Sequence, residues 1–271
     1  MKQVFIIASM LFAAVACNNS ATKTITVQEP KIKTETVNYL ADSVSMNGFI
    51  AYDEALQNKR PVVLIVHEWW GQNEYTRRRA QELAALGYLA MAVDFYGKGE
   101  LAETPERAME LAMPFYMNPA IAKARFDAAL KSAKSHPMAD TTRIAAMGYC
   151  FGGSMVLNMA RMGEPLKGVV SFHGGLAGVP VNKELLKADV LVCHGAADNF
   201  VSETEVNTFK RQMDSIGAHY KFVSYPGATH AFSNPEATEK GKKFNMPIAY
   251  NAAADTASWK EMKLFFEKVL K

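Results

Sequence analysis

Short runs of consecutive apolar residues recur along this chain, and they alternate with longer segments in which apolar residues repeat every three or four positions. The short runs are typical of strands buried on both faces of a sheet, and the longer segments are typical of helices with one apolar face. The predicted buried strands span residues 61–67, 88–94, 143–147, 166–172, 190–194 and 220–225. The predicted helices span residues 73–86, 104–113, 119–135, 154–161, 203–216 and 252–270. This alternation predicts one α/β domain, with a mostly parallel, doubly wound sheet covered by helices on both faces.

Two segments near the beginning of the chain follow a different pattern. In residues 34–39 and 46–52, apolar and polar residues alternate, which is typical of strands with one exposed face. They predict an antiparallel hairpin at the edge of the sheet. The predicted domain therefore covers residues 34–271, without an internal repeat or a second linker.

The first 33 residues have the composition of a targeting segment followed by a linker. Lys2 provides a short positive region, residues 4–16 are apolar, and Cys17 directly follows small residues. Residues 1–17 resemble a bacterial lipoprotein signal, in which Cys17 becomes the lipidated first residue and anchors an exported protein to a membrane. Ordinary signal cleavage, which leaves a soluble periplasmic protein, is the alternative. Residues 18–33 are polar and predict a flexible tether between the membrane and the domain.

The composition excludes several classes of function. The chain of 271 residues has a formal net charge of +3, and its one basic run, residues 77–79, is interpreted as a solvated helical turn, so a nucleic-acid partner is not expected. Three cysteines without metal-binding spacing indicate neither a disulfide framework nor a metal site, and no organic cofactor is implied. The sequence leaves the oligomeric state undefined and is consistent with a monomer.

The most informative stretch is the glycine-rich turn that joins a predicted strand to a predicted helix. It reads Gly-Tyr-Cys-Phe-Gly-Gly over residues 148–153, with Cys150 at its centre. The Gly-x-Cys-x-Gly pattern is the cysteine form of the nucleophile elbow, in which small neighbours let strand and helix pack closely around a strained nucleophile. Its spacing differs from that of dinucleotide-binding loops, and no lysine follows as in a P-loop. A buried structural cysteine and a nucleophilic Ser154 remain the alternatives.

Polar residues follow several of the predicted strands where each strand ends. Because the carboxyl ends of parallel strands lie at one edge of a sheet, we expect Glu68, Lys98, Cys150, Asp198 and His230 to converge there. Cys150, Asp198 and His230 occur in the chain order nucleophile, acid, histidine, which is the order of α/β-hydrolases. They predict a catalytic triad in which His230 acts as base and Asp198 orients the imidazole.

Other residues of the same types are interpreted as structural. His67, His173 and His194 also end strands, but for each of them a packed or backbone-bonded histidine is the expected state. Cys193 lies within an apolar strand and is expected in the core.

Together these motifs resemble the dienelactone hydrolase family, a cysteine branch of the α/β-hydrolases. The matching stretches are His-Glu-Trp-Trp-Gly at 67–71, Asp-Phe-Tyr-Gly-Lys-Gly at 94–99, the elbow at 148–153, Gly-Ala-Ala-Asp at 195–198, Thr-His-Ala-Phe at 229–232 and Tyr-Asn-Ala-Ala at 250–253. The resemblance covers the chain from about residue 36 to its C-terminus. It implies an α/β-hydrolase fold and a carboxylic-ester hydrolase that cleaves an ester or lactone through a covalent acyl-enzyme.

The resemblance also implies roles for further residues. The backbone N–H groups of Phe151 and Trp69 would form the oxyanion hole. Glu68 would interact with the thiol of Cys150 in the resting enzyme and would help to generate the thiolate when substrate binds. Apart from the resemblance, the aromatic rings of Trp69 and Trp70 are expected to shape an apolar pocket, with packing of one of them under the loop as the alternative.

Two positions depart from the family pattern. Family members that cleave dienelactone hold the substrate carboxylate with two arginines, at the positions of Lys98 and Asn234 here. Lysine lacks the bidentate fork of arginine, and asparagine lacks the charge. Lys98 and Asn234 are therefore predicted to contact substrate, while dienelactone itself is doubtful as that substrate. We expect a different small-molecule ester, thioester or lactone.

A second hypothesis, from another class, is a non-catalytic envelope binding protein that retains the fold, because a fold alone does not establish an activity. The set of Cys150, Asp198 and His230 argues against it, since a binding protein has no need of all three. A thiol redox protein is disfavoured because the chain has no resolving cysteine at a suitable spacing.

Overall fold

A single eight-stranded sheet forms the centre of the computed structural model, which describes residues 29–271. The strands are β1 (Ile32–Ala41), β2 (Val44–Asp53), β3 (Arg60–Val66), β4 (Leu89–Val93), β5 (Ala139–Tyr149), β6 (Gly168–Phe172), β7 (Asp189–Gly195) and β8 (Tyr220–Tyr225). Their order across the sheet is β1-β2-β4-β3-β5-β6-β7-β8. The β1–β2 and β2–β4 pairs are antiparallel, and the other neighbouring strands are parallel. The prediction of a mostly parallel α/β sheet is confirmed.

Helices cover both faces of this sheet. Within residues 29–271 they are α1 (Glu74–Ala85), α2 (Pro105–Met117), α3 (Pro119–Ser135), α4 (Phe151–Arg161), α5 (Glu203–Ser215), α6 (Ala237–Phe244) and α7 (Ala252–Val269). In β3, Val62, Leu64 and Val66 pack in one core cluster together with α3, α4 and α5. Val63 and Ile65 point the other way and pack in a second cluster with α1 and α7. Because helices cover both faces of the sheet, the central strands are continuous runs of apolar residues.

The antiparallel hairpin lies at the edge of the sheet, as the alternating pattern predicted. All ten residues of β1 pair with β2, whereas β2 pairs with β4 over only three residues. β1 begins at Ile32, so Ile32 and Lys33, which were assigned to the tether at 18–33, belong to the sheet instead. Their pairing with Tyr52 and Asp53 continues the ladder of the hairpin by two residues beyond the predicted boundary.

The remaining differences concern the flanks of the domain and one short helix. α6 was not predicted, because it has only eight residues and Phe244 is its single large apolar side chain. The predicted lipoprotein signal at 1–17, including Cys17, and residues 18–28 of the predicted tether lie outside the described residues. Between residues 29 and 271, no helix is both long enough and apolar enough to cross a membrane.

Candidate active site

The glycine-rich turn between β5 and α4 holds Cys150 in a strained conformation. Cys150 has φ 53° and ψ −116°, in the region that favours glycine. A Cβ atom on Gly152 would lie 2.1 Å from the carbonyl oxygen of Val66, and a Cβ on Gly148 would lie 2.2 Å from the carbonyl group of Gly152. Since only glycine avoids these contacts, the two glycines let α4 pack directly on the ends of β3 and β5.

His173, at the end of β6, fixes this turn from the side. The Cys150 N–H donates to the Phe172 carbonyl at 3.0 Å and to His173 Nδ1 at 3.1 Å. His173 Nε2 then carries the ring hydrogen and lies 2.8 Å from Ser233 Oγ. Burial and the charge of nearby His230 hold the pKa of His173 well below its usual value, which keeps the ring neutral. The packed state expected for His173 thus includes a hydrogen bond to the backbone of the elbow.

His230 and Asp198 form a hydrogen-bonded pair beside Cys150. His230 Nδ1 lies 2.8 Å from Asp198 Oδ2, while the Phe200 N–H donates to Asp198 Oδ1 at 2.8 Å. Burial lowers the pKa of His230, but the negative charge of Cys150 and the hydrogen bonds to Asp198 and Cys150 outweigh it and raise the pKa to about 10. The imidazolium form is therefore favoured at neutral pH while Cys150 carries a negative charge.

Glu68 follows β3 and lies in the same cavity wall as Cys150. Its carboxyl group is 2 % exposed and accepts a hydrogen bond from Asn234 Nδ2 at 2.7 Å. Burial raises the pKa of Glu68, although the charge of Lys240 and the hydrogen bond from Asn234 act in the opposite direction. Asn234 is thus a partner of Glu68, because its amide faces this carboxyl group.

Phe151 and Trp69, which were assigned to the oxyanion hole, flank Cys150 on two elements. Phe151 is the first residue of α4, and its N–H is among those that a helix leaves without an acceptor of its own. Trp69 lies in the loop after β3, where its carbonyl accepts a hydrogen bond from the Tyr96 hydroxyl at 2.8 Å. The His67 Nδ1–H donates to the Glu68 carbonyl at 2.5 Å, which also fixes this loop. Burial lowers the pKa of His67 to about 4, so the ring is neutral.

A cavity of about 230 Å³ opens over Cys150. Its walls are mainly apolar and come from α2, the loops after β3 and β7, and the segment that follows His230. The lining residues are Glu68, Trp69, Trp70, Met109, Ala112, Tyr116, Cys150, Gly175, Phe200, Val201, His230, Ala231, Met246 and Ile248. Trp70 lies in this wall, as the sequence led us to expect.

Lys98 and Asn234 were predicted to contact substrate, and neither lies in the cavity wall. Lys98 occupies an exposed turn with φ 56°, and its N–H donates to the Ser45 carbonyl at 2.7 Å. That bond attaches the turn to β2, and Lys98 does not contribute to the cavity wall. Asn234 is 1 % exposed and is engaged by Glu68. The two positions therefore differ from the carboxylate-binding pair that the resemblance implied.

Sequence reasoning missed the residues that α2 and the segment after α6 contribute to the cavity wall. Met109 and Tyr116 come from α2, and Met246 and Ile248 follow α6. None of them stands at the end of a parallel strand, which was the signal that identified Cys150 and its partners. The one weak feature of the α2 sequence that could have indicated these residues is its set of methionines.

The alternatives considered for other residues find little support in the geometry. Ser154 is buried inside α4, one turn beyond the strained position. Cys193 is buried in β7, and burial raises the pKa of its thiol to about 12. In the part of the chain that the structure describes, no three His, Cys, Asp or Glu side chains are grouped so that they could hold a metal ion.

The fold and the position of these polar groups define a class of protein. A mostly parallel sheet of eight strands, with a strained strand-to-helix turn and polar residues at the carboxyl ends of its strands, is the architecture of the α/β-hydrolases. Within that class, the chain belongs to the dienelactone hydrolase family, whose family model matches residues 46–270. The chain is therefore a member of a hydrolase family.

Individual relatives agree with this assignment. A protein of Aquifex aeolicus that carries the name "Putative carboxymethylenebutenolidase" is 25% identical over 240 residues, which is 87% of this chain and 98% of the relative. A protein of the same name from Methylorubrum extorquens is 30% identical over 183 residues, 64% of this chain and 63% of the relative. Among solved structures, a dienelactone hydrolase-like promiscuous phosphotriesterase from metagenomic libraries has a TM-score of 0.83 at 29% identity, covering 89% of this chain and 99% of its own.

Proposed function

We propose that this protein hydrolyses neutral carboxylic esters or lactones, with Cys150 as nucleophile, His230 as acid and base, and Asp198 as the group that orients His230. The observation that carries the proposal is one cavity whose wall includes a strained cysteine and a histidine paired with a buried carboxylate. A strained thiol at a helix N-terminus that faces a cavity has the setting of a reactive cysteine, because the helix dipole favours a thiolate.

Acylation uses the proton that His230 already holds. The Cys150 thiolate attacks the ester carbonyl carbon, and the backbone N–H groups of Phe151 and Trp69 stabilise the resulting oxyanion. When the tetrahedral intermediate collapses, the bond to the alcohol oxygen breaks, and the His230 imidazolium donates its proton to that oxygen. The products of this half-reaction are the free alcohol and a thioester on Cys150.

Deacylation runs with His230 in its neutral form. Once Cys150 is a thioester, its negative charge no longer raises the pKa of His230, so the neutral imidazole can accept a proton. It takes that proton from a water molecule, whose oxygen attacks the thioester carbonyl. Collapse of the second intermediate releases the carboxylic acid and restores the thiolate beside a protonated His230.

Glu68 is proposed to guard the thiol before substrate enters. Its carboxyl group shares the cavity wall with Cys150, and burial raises its pKa, which favours a form that can hold or release a proton close to the sulfur. The hydrogen bond from Asn234 fixes the orientation of the carboxyl group. Asn234 is thus a positioning residue that acts through Glu68.

The proposal is tested on a domain that begins at residue 29, with para-nitrophenyl acetate as substrate. We expect Cys150→Ala and His230→Ala to lower kcat/KM by at least about a thousandfold, because the residues of a triad act as a unit. Equal turnover by the three proteins would refute the triad. As a second measurement, iodoacetamide should label Cys150, while the buried Cys193 provides the unlabelled control within the same chain.

Neutral phosphotriesters are a second candidate class of substrate. The observation that favours them is the apolar cavity, together with the 29% identity to a relative named for phosphotriesterase activity. Paraoxon turnover by the same three proteins distinguishes the candidates. Esterase activity without paraoxon turnover removes the phosphotriesterase hypothesis.

Export and lipidation at Cys17 are proposed on the sequence alone, since residues 1–28 are outside the described part. A firm anchor would hold the hydrolase at a bacterial membrane. Expression of the full chain with radiolabelled palmitate, followed by membrane fractionation, tests this proposal. We expect label and membrane association in the natural chain and neither in Cys17→Ala; membrane association that survives this substitution would argue against the anchor.

A further inference from the structure

The cavity over Cys150 is poorly suited to a charged substrate. Across the residues that the structure describes, no lysine or arginine lines it, whereas the carboxyl group of Glu68 does. The Lys240 ammonium lies 5.4 Å from the centre of the Trp70 ring and forms an ion pair with Glu236 at 2.7 Å. Since Lys240 is paired with Glu236 and the His230 ring is paired with Asp198, an anionic group in the cavity would meet a carboxyl group without an unpaired cation.

The cavity is also small for a long apolar chain. Its volume of about 230 Å³ lies below the range of about 300–1,000 Å³ that is typical of ligand pockets. An ester with a longer chain would have to extend past the mouth while its carbonyl group remains at Cys150. The surface at the mouth therefore decides whether such esters bind well.

A stripe of exposed apolar side chains leads away from the mouth along α2. Met109 and Tyr116 line the cavity and yet are 48% and 44% exposed. Met113, 39% exposed, stands four residues after Met109 and three before Tyr116, so it is their neighbour on the helix surface. Met117, four residues after Met113, is 76% exposed. Exposed methionine on this scale is typical of surfaces that bind flexible apolar ligands.

The opposite side of the mouth is apolar as well. Phe200, which follows Asp198 on the loop after β7, is 52% exposed, and its ring lies 5.0 Å from that of His230. Phe200 also lines the cavity, together with Met246 and Ile248. A chain leaving the cavity would thus have apolar side chains on both sides of its path.

We propose that the cavity and the stripe of Met109, Met113, Tyr116 and Met117 form one binding groove for the long apolar chain of a neutral ester. The inference rests on the ester hydrolysis proposed above and adds the substrate class. The occupant is the aliphatic chain, because the groove begins at the nucleophile and continues along the exposed apolar side chains of α2. Either the acyl group or the alcohol of the ester could supply this chain, and the experiment separates the two.

The test compares Met113→Lys and Met117→Lys with the unsubstituted domain on para-nitrophenyl acetate, hexanoate and decanoate. We expect kcat/KM for decanoate to fall about tenfold in each variant, since a charged side chain replaces an apolar contact, while the value for acetate stays within about twofold. Met113→Leu should retain the decanoate activity. Leu264→Lys, at a position in α7 that is 53% exposed, is the matched control.

Two further arms complete the experiment. Alkyl acetates of increasing alcohol length repeat the series with the chain on the other side of the ester bond, and sensitivity to Met113→Lys in only one series identifies the part that the groove binds. The monosuccinate ester of para-nitrophenol should be a poor substrate because of its charge.

Two outcomes separate the groove from the proposed function. If all variants hydrolyse decanoate equally while acetate is still hydrolysed, the groove is overturned and the proposed function remains supported. If the unsubstituted domain does not hydrolyse acetate, the proposed function itself is overturned.

Discussion

At the scale of single residues, a negative charge on Cys150 would favour the protonated form of His230. Burial alone would make the ring neutral, and the pKa of about 10 depends on the thiolate and on Asp198. In the mechanism proposed above, the same ring acts as an acid during acylation and as a base during deacylation, because the thioester removes the negative charge of Cys150.

The dependence of His230 on Cys150 can be measured directly. In Cys150→Ser, the hydroxyl stays neutral, so we expect the pKa of His230 to fall clearly below the value of about 10. NMR titration of the imidazole resonances of both proteins provides the measurement. His136, which lies beside Glu35 and whose pKa is lowered by burial, is the internal reference and should titrate alike in the two proteins. An unchanged titration of His230 would mean that Asp198 alone holds its proton.

The buried carboxyl group of Glu68 leads to a second prediction, which concerns how the stability of the folded protein changes with pH. Burial raises its pKa above the ordinary value of 4.5, so the folded protein binds a proton that the unfolded chain releases. Stability should therefore fall as pH rises above about 4.5, and Glu68→Gln should remove this loss. We expect a higher Tm for Glu68→Gln at pH 7, by roughly 2–4 °C for each 1 kcal/mol gained, and no difference near pH 4.

The control for this prediction is Glu184→Gln, because the Glu184 side chain is 82% exposed and forms only a surface ion pair. Thermal unfolding of the three proteins across the pH range provides the data. A gain in Tm that is the same at pH 4 and pH 7 would show that the charge of Glu68 is not its cause.

At the scale of elements, the junction of β3, β5 and α4 determines where the nucleophile stands. The first turn of α4 lies directly against the end of β3, since Gly152 leaves no side chain between them. The backbone of Cys150 is in turn bonded to the last residue of β6 and to the histidine that follows it. The parallel strands β3, β5 and β6, together with α4, therefore fix the position of the Cys150 thiol.

Gly152→Ala should test this close approach. The added Cβ would lie 2.1 Å from the Val66 carbonyl oxygen, and backbone cannot rotate away as a side chain can. We expect a loss of about 3 kcal/mol or more in the free energy of unfolding, measured with urea, together with loss of esterase activity. Gly217→Ala is the comparison, because Gly217 has φ 63° and open space around it and should lose only roughly 1–2 kcal/mol. Similar losses in the two variants would contradict the packing argument.

The same elements show what the sequence can predict. The core strands and the residues at their ends were predictable, because burial on both faces forces apolar runs and parallel strands bring their carboxyl ends together. The short helix α6 and the cavity residue Met246 were not, since α6 has a single large apolar side chain and Met246 does not stand at the end of a strand. Lys98 was assigned by position alone, and its direction depends on a left-handed turn that only the folded loop reveals.

At the scale of the whole molecule, the hairpin of β1 and β2 completes one edge of the sheet. β2 touches β4 through only three paired residues, so most of its hydrogen-bonded length depends on β1. β1 also packs against α3, which joins the hairpin to the core on that side. The edge is therefore built as a unit and is attached to the sheet at one short contact.

Removal of β1 should consequently disturb more than one strand. A chain that begins at residue 43 leaves the edge of β2 unpaired, and we expect it to lose at least about 2–3 kcal/mol of stability and to self-associate. Urea unfolding and light scattering over a range of concentrations, compared with a chain that begins at residue 29, provide the measurement. A truncated chain that stays monomeric, with an unchanged urea midpoint, would show that β2 is held by the core alone.

The proposed reacting groups and the proposed groove come from separate elements, which has a consequence for engineering. Cys150, Asp198 and His230 follow strands of the sheet, whereas Met109, Met113 and Met117 lie on the exposed face of one helix. A combinatorial library confined to those three positions would sample new selectivities while the core and the elbow keep their sequence. Because exposed positions rarely change stability by more than about 0.5 kcal/mol, most members of that library should fold and remain available for screening.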